Sequence, residues 1–124
     1  MESRRQSKVA SLLQKEFSEV LLRHGANYYG STFVTISDVK VTPDLLVARF
    51  YLSVMDENRR KAVIAGLKEN AGDIRRHMGN KLKNQLRRIP NLEFFLDETL
   101  DEVFRIEQLL KEEREKRKPT GEQD

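Results

Sequence analysis

Six cations stand close together in this chain: Arg75, Arg76, Lys81, Lys83, Arg87 and Arg88. Asn80, Asn84 and Gln85 are interleaved with them. Guanidinium forks match phosphate oxygens two at a time, and side-chain amides reach phosphate and sugar, so the set suits a nucleic-acid backbone. A basic helix face simply dissolved in water would be the plainer account, since Lys and Arg are good helix formers. Such faces are normally laced with acids one turn away, and those are scarce here. Arg4, Arg5 and Lys8 form a second basic group near the N-terminus, and Lys40 stands alone further on.

Other reactive side chains carry less. His24 and His77 have no cysteine companions and no H-x-x-x-H spacing, so the sequence holds no zinc-site pattern. His24, just before Gly25, reads as a histidine at a helix end, and His77 as part of the basic surface. No nucleophile elbow, phosphate loop or dinucleotide fingerprint occurs. Asp97, Glu98, Asp101 and Glu102 fall at the start of a helical pattern, where carboxylates answer the helix dipole. These residues predict no enzyme, no cofactor, no metal and no small-molecule substrate.

The elements that must position the cations follow from periodicity. Ser3-x-x-Gln6 is a capping box, and Val9, Leu12, Leu13, Phe17, Val20 and Leu21 space as an amphipathic helix ending at Gly25. Asn27 to Ser31 reads as a loop. Thr32 to Val41 is a strand whose alternation slips at Ser37-Asp38, which predicts a bulge or a strand buried on both sides near that point. Thr42-Pro43-Asp44 turns the chain into a second strand, Leu46 to Val54, making an antiparallel hairpin. Most of Phe33, Phe50, Tyr51, Phe94 and Phe95 read as core, leaving no evident aromatic platform for bases. Asp56-Glu57-Asn58 caps a helix that reaches Asn70. A joint at Gly72 then leads into the basic helix, whose apolar stripe Ile74, Met78, Leu82, Leu86 runs until Pro90 stops it. Leu92 to Leu96 is a third strand. Thr99-x-x-Glu102 caps a C-terminal helical extension that frays into a charged, disordered tail.

The predicted class is α+β: two layers, in the order α-β-β-α-(kink)-α-β, with the C-terminal extension. Residues 1–110 form one domain and residues 111–124 the tail. Net charge is only +3, but ten Lys or Arg against two acids lie between Arg59 and Arg88, and acids dominate from Leu92 to Glu107. One face should attract a polyanion, unless the two blocks pair with each other. Charged residues make up 35% of the chain and cysteine is absent, which fits a reducing compartment. The N-terminus lacks a signal-peptide pattern and no stretch nears the ~18 apolar residues of a membrane span. The expectation is a soluble, cytoplasmic monomer with no membrane partner.

The order and spacing of several pieces resemble the ribosome-binding factor A family of bacterial small-subunit assembly factors. The pieces are Lys8-Val9-Ala10-Ser11-Leu12-Leu13-Gln14-Lys15-Glu16 and Val34-Thr35-Ile36-Ser37-Asp38-Val39-Lys40-Val41-Thr42-Pro43-Asp44-Leu45. Gly72-Asp73-Ile74-Arg75, Arg87-Arg88-Ile89-Pro90-Asn91-Leu92-Glu93-Phe94 and Asp97-Glu98-Thr99-Leu100 follow. The resemblance implies a type II KH-like domain, whose GXXG loop is replaced by a helix-kink-helix marked Ala-x-Gly. Here that triplet is Asn70-Ala71-Gly72, with Asn able to cap the second helix, and Asp73 stands where the family usually has an aromatic. It further implies binding to the small ribosomal subunit (30S) or its precursor and to 16S rRNA. Late maturation near the 5′ end would be promoted without bond chemistry. The contacts would be Arg75, Arg76, Lys81, Lys83, Arg87 and Arg88, with Arg4, Arg5, Lys8 and, more weakly, Lys40. Two other readings stay open: a general KH-like RNA-binding module, and a protein adaptor using the charged C-terminal helix.

Overall fold

Helix α1 spans Arg4–Tyr29 and begins as the capping box predicts. Gln6 N–H donates to Ser3 Oγ at 3.1 Å, and Ser3 N–H to Gln6 Oε1 at 2.8 Å. The same Gln6 is buried, and its Nε2 donates to the Val41 carbonyl at 2.8 Å, which fastens the start of α1 to the end of a strand. The structure, a computed structural model, describes residues 2–97, 106 and 108–114.

α1 does not stop at Gly25. It continues through the segment expected to be a loop, and the chain leaves it at Gly30, where φ is 84°. The reason is tertiary. Leu21, Gly25 and Tyr29 continue the buried stripe at i, i+4, i+8, and the Tyr29 hydroxyl lies where a Gly25 side chain would be, 2.5 Å from an ideal Cβ. Gly25 thus makes room for a tyrosine one turn on, and Gly30 takes the positive-φ, extended conformation open to glycine where the chain leaves the helix.

Strands β1 (Val34–Val41) and β2 (Val47–Val54) pair antiparallel, with the register shifting between Ile36 and Asp38 as the broken alternation predicts. β3 (Asn91–Leu96) lies parallel to β2 on its other side, giving the order β1-β2-β3. A parallel neighbour demands a long crossover. Two helices supply it: α2 (Arg60–Glu69), entered by a 3₁₀ turn over Glu57–Arg59 that Asp56 caps, and α3 (Ala71–Leu82). Ala48, Phe50, Leu52, Val54 and Phe94 bury one sheet face against the helices. Phe17 from α1 sits at the centre, its ring 4.5 Å from that of Phe50 and 5.6 Å from that of Phe94.

Where α2 crosses α1 the backbones nearly touch. A Cβ on Gly66 would lie 2.1 Å from the Tyr28 carbonyl oxygen. The joint between α2 and α3 is a single residue, Asn70 (φ −106°, ψ 14°). The expected Asn cap on the second helix does not form. Asn70 Nδ2 donates backwards instead, to the Gly66 carbonyl at 2.7 Å, and closes the end of α2. Gly72 lies inside the first turn of α3 without a positive φ, and a Cβ there would meet nothing. The bend therefore does not need that glycine.

α3 is also shorter than expected. It ends at Leu82, whose carbonyl accepts from both the Gln85 and Leu86 amides at 2.8 Å. Leu86, Arg87 and Arg88 lie in the turn that follows, because Pro90 bars helix from the residues before it and the loop must deliver Asn91 to the sheet. Phe33 is 68% exposed, and Tyr51 and Phe95 stack at 5.6 Å on the outer sheet face, so the aromatics are less uniformly core than their strand pattern suggested. Residues 106 and 108–114 are helical. The Thr99–Glu102 capping box and the tail beyond residue 114 lie outside the described residues.

Candidate nucleic-acid interface

α1 and α3 run antiparallel. Tyr28 meets Asp73, His24 meets His77, and Val20 shares a recess with Lys81, so the numbers fall on one helix as they rise on the other. The N-terminus of α1 therefore lies towards the end where α3 gives out into residues 83–90. The Gln6–Val41 bond and the Asn91 amide bonded to the Leu46 carbonyl at 2.8 Å bring the hairpin turn to that same end. Arg4, Arg5, Lys8, Lys83, Arg87 and Arg88, far apart in sequence, are thus gathered at one pole, all exposed. None of them forms an ion pair with the described residues.

The cations of α3 itself differ in what they are free to do. Lys81 is exposed and unpaired among the described residues. Arg75 turns inward: its Nη2 donates to the Ile89 carbonyl at 2.6 Å, and its buried Nε has no partner among the described residues. It holds the 83–90 loop against α3 rather than facing solvent. Arg76 is exposed but hydrogen-bonded and ion-paired to Asp73. Lys40 lies on the outer sheet face beside Asp38 at 3.8 Å, both more than half exposed, an arrangement of little energetic weight.

Asp73 is the hub of the other end. Tyr28 Oη donates to its Oδ2 at 2.6 Å, Arg76 Nη2 donates to Oδ1, and His77 Nε2 stands 3.4 Å from Oδ2. The tyrosine hydrogen bond first, and then the Arg76 guanidinium, hold the Asp73 carboxyl below the usual carboxylate range. Burial, and then the bond to Asp73, push the Tyr28 phenol above its ordinary value. The carboxylate that would otherwise repel phosphate is therefore already occupied, tying α1 to the first turn of α3.

His24 lies well inside α1, not at its end. Its ring stacks on that of His77, centroids 4.2 Å apart and planes 16° from parallel. Arg23, Lys81, Glu16 and Glu19 line the recess around the pair. No spacing rule links His24 to His77 or Tyr28 to Asp73, so this cluster had no sequence signal apart from the placement of Tyr28 one helical turn after His24. Among the described residues no group of three or more His, Cys, Asp or Glu could hold a metal ion.

A helical layer on a three-stranded sheet of this order, with a bent helix pair standing where a GXXG loop would be, is a KH-like domain, and its cationic pole is the kind of surface that meets nucleic-acid backbone. The family model described as ribosome-binding factor A matches residues 5–110, and the chain belongs to that family. It is 42% identical to ribosome-binding factor A of Chlorobium luteolum over 110 residues, 88% of this chain and 91% of the relative. The crystal structure of ribosome-binding factor A from Thermus thermophilus superposes with a TM-score of 0.63, at 16% identity, over 73% of this chain and 94% of that one. A homology model of the Thermus thermophilus factor, fitted into a cryo-EM map of a 30S complex, matches with a TM-score of 0.55 at 16% identity, over 79% of this chain and 97% of that one.

Proposed function

We propose that this protein binds the free small ribosomal subunit or its precursor through 16S rRNA. There it promotes late maturation of that RNA, its folding and processing near the 5′ end, without catalysing a bond change. The observation that carries the reading is the gathering of Arg4, Arg5, Lys8, Lys83, Arg87 and Arg88 at one pole of a family fold. Unpaired cations from two separate segments fit a folded RNA backbone better than a single groove of bases. Lys81 extends the surface along α3, Arg76 joins it if Asp73 releases it, and Arg75 and Lys40 are peripheral. The protein acts as a cytoplasmic monomer, with residues 1–110 as the RNA-binding domain and 111–124 as a charged tail, and it needs no cofactor.

Sedimentation of cell lysate through a sucrose gradient tests this. The protein should travel with free small subunits, and nuclease treatment should release it. Binding should weaken steeply with salt, by about 0.7–0.9 in the log–log slope for each phosphate neutralised. Replacing Lys83, Arg87 and Arg88 by Glu should abolish co-sedimentation, whereas unchanged binding would refute the assignment of this pole. Equal competition by unstructured RNA would point instead to a general RNA-binding module.

A further inference from the structure

The stacked histidines take no part in that RNA-binding pole. Their surroundings have a balance that follows only from the tertiary structure. From α1, Glu16, Glu19 and Arg23 face the recess; from α3, Lys81 lines it, with Asp73 and Arg76 adjoining His77. Acids and permanent cations cancel, so the formal charge of the recess is set by the histidines alone. His77 is 30% exposed at its side chain, and His24 is half-buried with no hydrogen-bond partner among the described residues. Both rings are within reach of an incoming group.

We infer that this recess of about 60 Å³ between α1 and α3 is a proton-gated seat for one phosphate group of the RNA backbone. His24 and His77 take up a proton as the phosphate arrives, and Arg23 and Lys81 flank it. The inference rests on the rRNA-binding reading and adds a position and a pH dependence to it. With neutral imidazoles the recess carries no net charge and offers a phosphate little. One added proton makes it cationic. A second proton on rings stacked at 4.2 Å would be opposed by repulsion, so a single linked proton is expected. Imidazole is the side chain whose charge changes between pH 5 and 8, so the seat fills on mild acidification.

The test measures binding of the native protein to free small subunits at about pH 6 and pH 8 at one ionic strength. If phosphate raises the proton affinity of one imidazole tenfold, binding should be several-fold tighter at the lower pH, and at most about ten-fold. In His24→Gln/His77→Gln that ratio should fall to about one. Glu19→Gln, which removes a carboxylate facing the recess, should tighten binding at the higher pH, a gain that misfolding cannot imitate. Titrating the protein with inorganic phosphate should shift the imidazole NMR signals of both histidines towards the protonated form. Equal native affinity at the two pH values, or a ratio retained by the double variant, overturns the inference. A response to inorganic phosphate beside pH-independent subunit binding would make this a seat for free phosphate and overturn the RNA assignment. Failure to bind subunits at either pH overturns the functional reading and this inference with it, whereas binding without the pH ratio overturns the inference alone.

Discussion

Two glycines at the helix pair should respond to alanine in opposite ways. At Gly72 the backbone is helical, φ is not positive, and a new Cβ would meet nothing. Gly72→Ala should therefore stabilise the protein by about 0.5–1 kcal/mol, through helix propensity and a less free unfolded chain. At Gly66 the new Cβ would lie 2.1 Å from the Tyr28 carbonyl oxygen and 3.1 Å from its carbon, and backbone cannot step aside as a side-chain tip can. Separating α1 from α2 should cost about 3 kcal/mol, offset by about 1 kcal/mol of helix propensity, for a net loss near 2 kcal/mol. Urea and thermal unfolding of the two variants would measure this, with each kcal/mol worth about 4 °C in a domain of this size. Subunit binding should survive Gly72→Ala, since the bend sits at Asn70. A loss of more than about 1 kcal/mol in Gly72→Ala, or a neutral Gly66→Ala, would refute the account of what sets the joint.

Tyr28→Phe should destabilise the protein at neutral pH by removing a hydrogen bond to a carboxylate. Because the folded Asp73 value is depressed, its contribution is present above the usual carboxylate range and fades as pH falls through the folded value. The difference between native and variant should accordingly shrink in acid. The raised Tyr28 value works in the other direction: native stability should fall as pH rises above about 10, and the variant, which keeps only the buried Tyr29 phenol of this pair, should lose less. Unfolding midpoints across pH check both signs. Phe17→Ala, at a fully buried ring between Phe50 and Phe94, should cost about 3–5 kcal/mol in urea unfolding. Arg75→Met should reduce protection of the 83–90 amides against hydrogen exchange, because the carbonyl of Ile89 loses its donor.

The amino-acid sequence by itself determined the local matters. Ser3 and Gln6 cap α1 because their spacing lets each side chain reach the other's amide. The broken alternation at Ser37-Asp38 becomes a register shift because a side-chain period of two cannot absorb one extra residue otherwise. The clustered cations stood out by their spacing, and the order of motifs marked the family. Contacts between distant residues decided the rest. α1 passes Gly25 because Tyr29 packs over it, and α3 stops at Leu82 because the loop must reach the sheet. Of the cations that looked alike in sequence, Arg75 is turned inward by Ile89, Arg76 is held by Asp73, and Arg87 and Arg88 are exposed beyond the helix and unpaired among the described residues. Periodicity reports which face of an element is apolar; it carries no information about which carbonyl or carboxylate another element will bring alongside. The basic helix was legible, but its division into structural and available charge, and the histidine pair beside it, came only with α1 laid against α3.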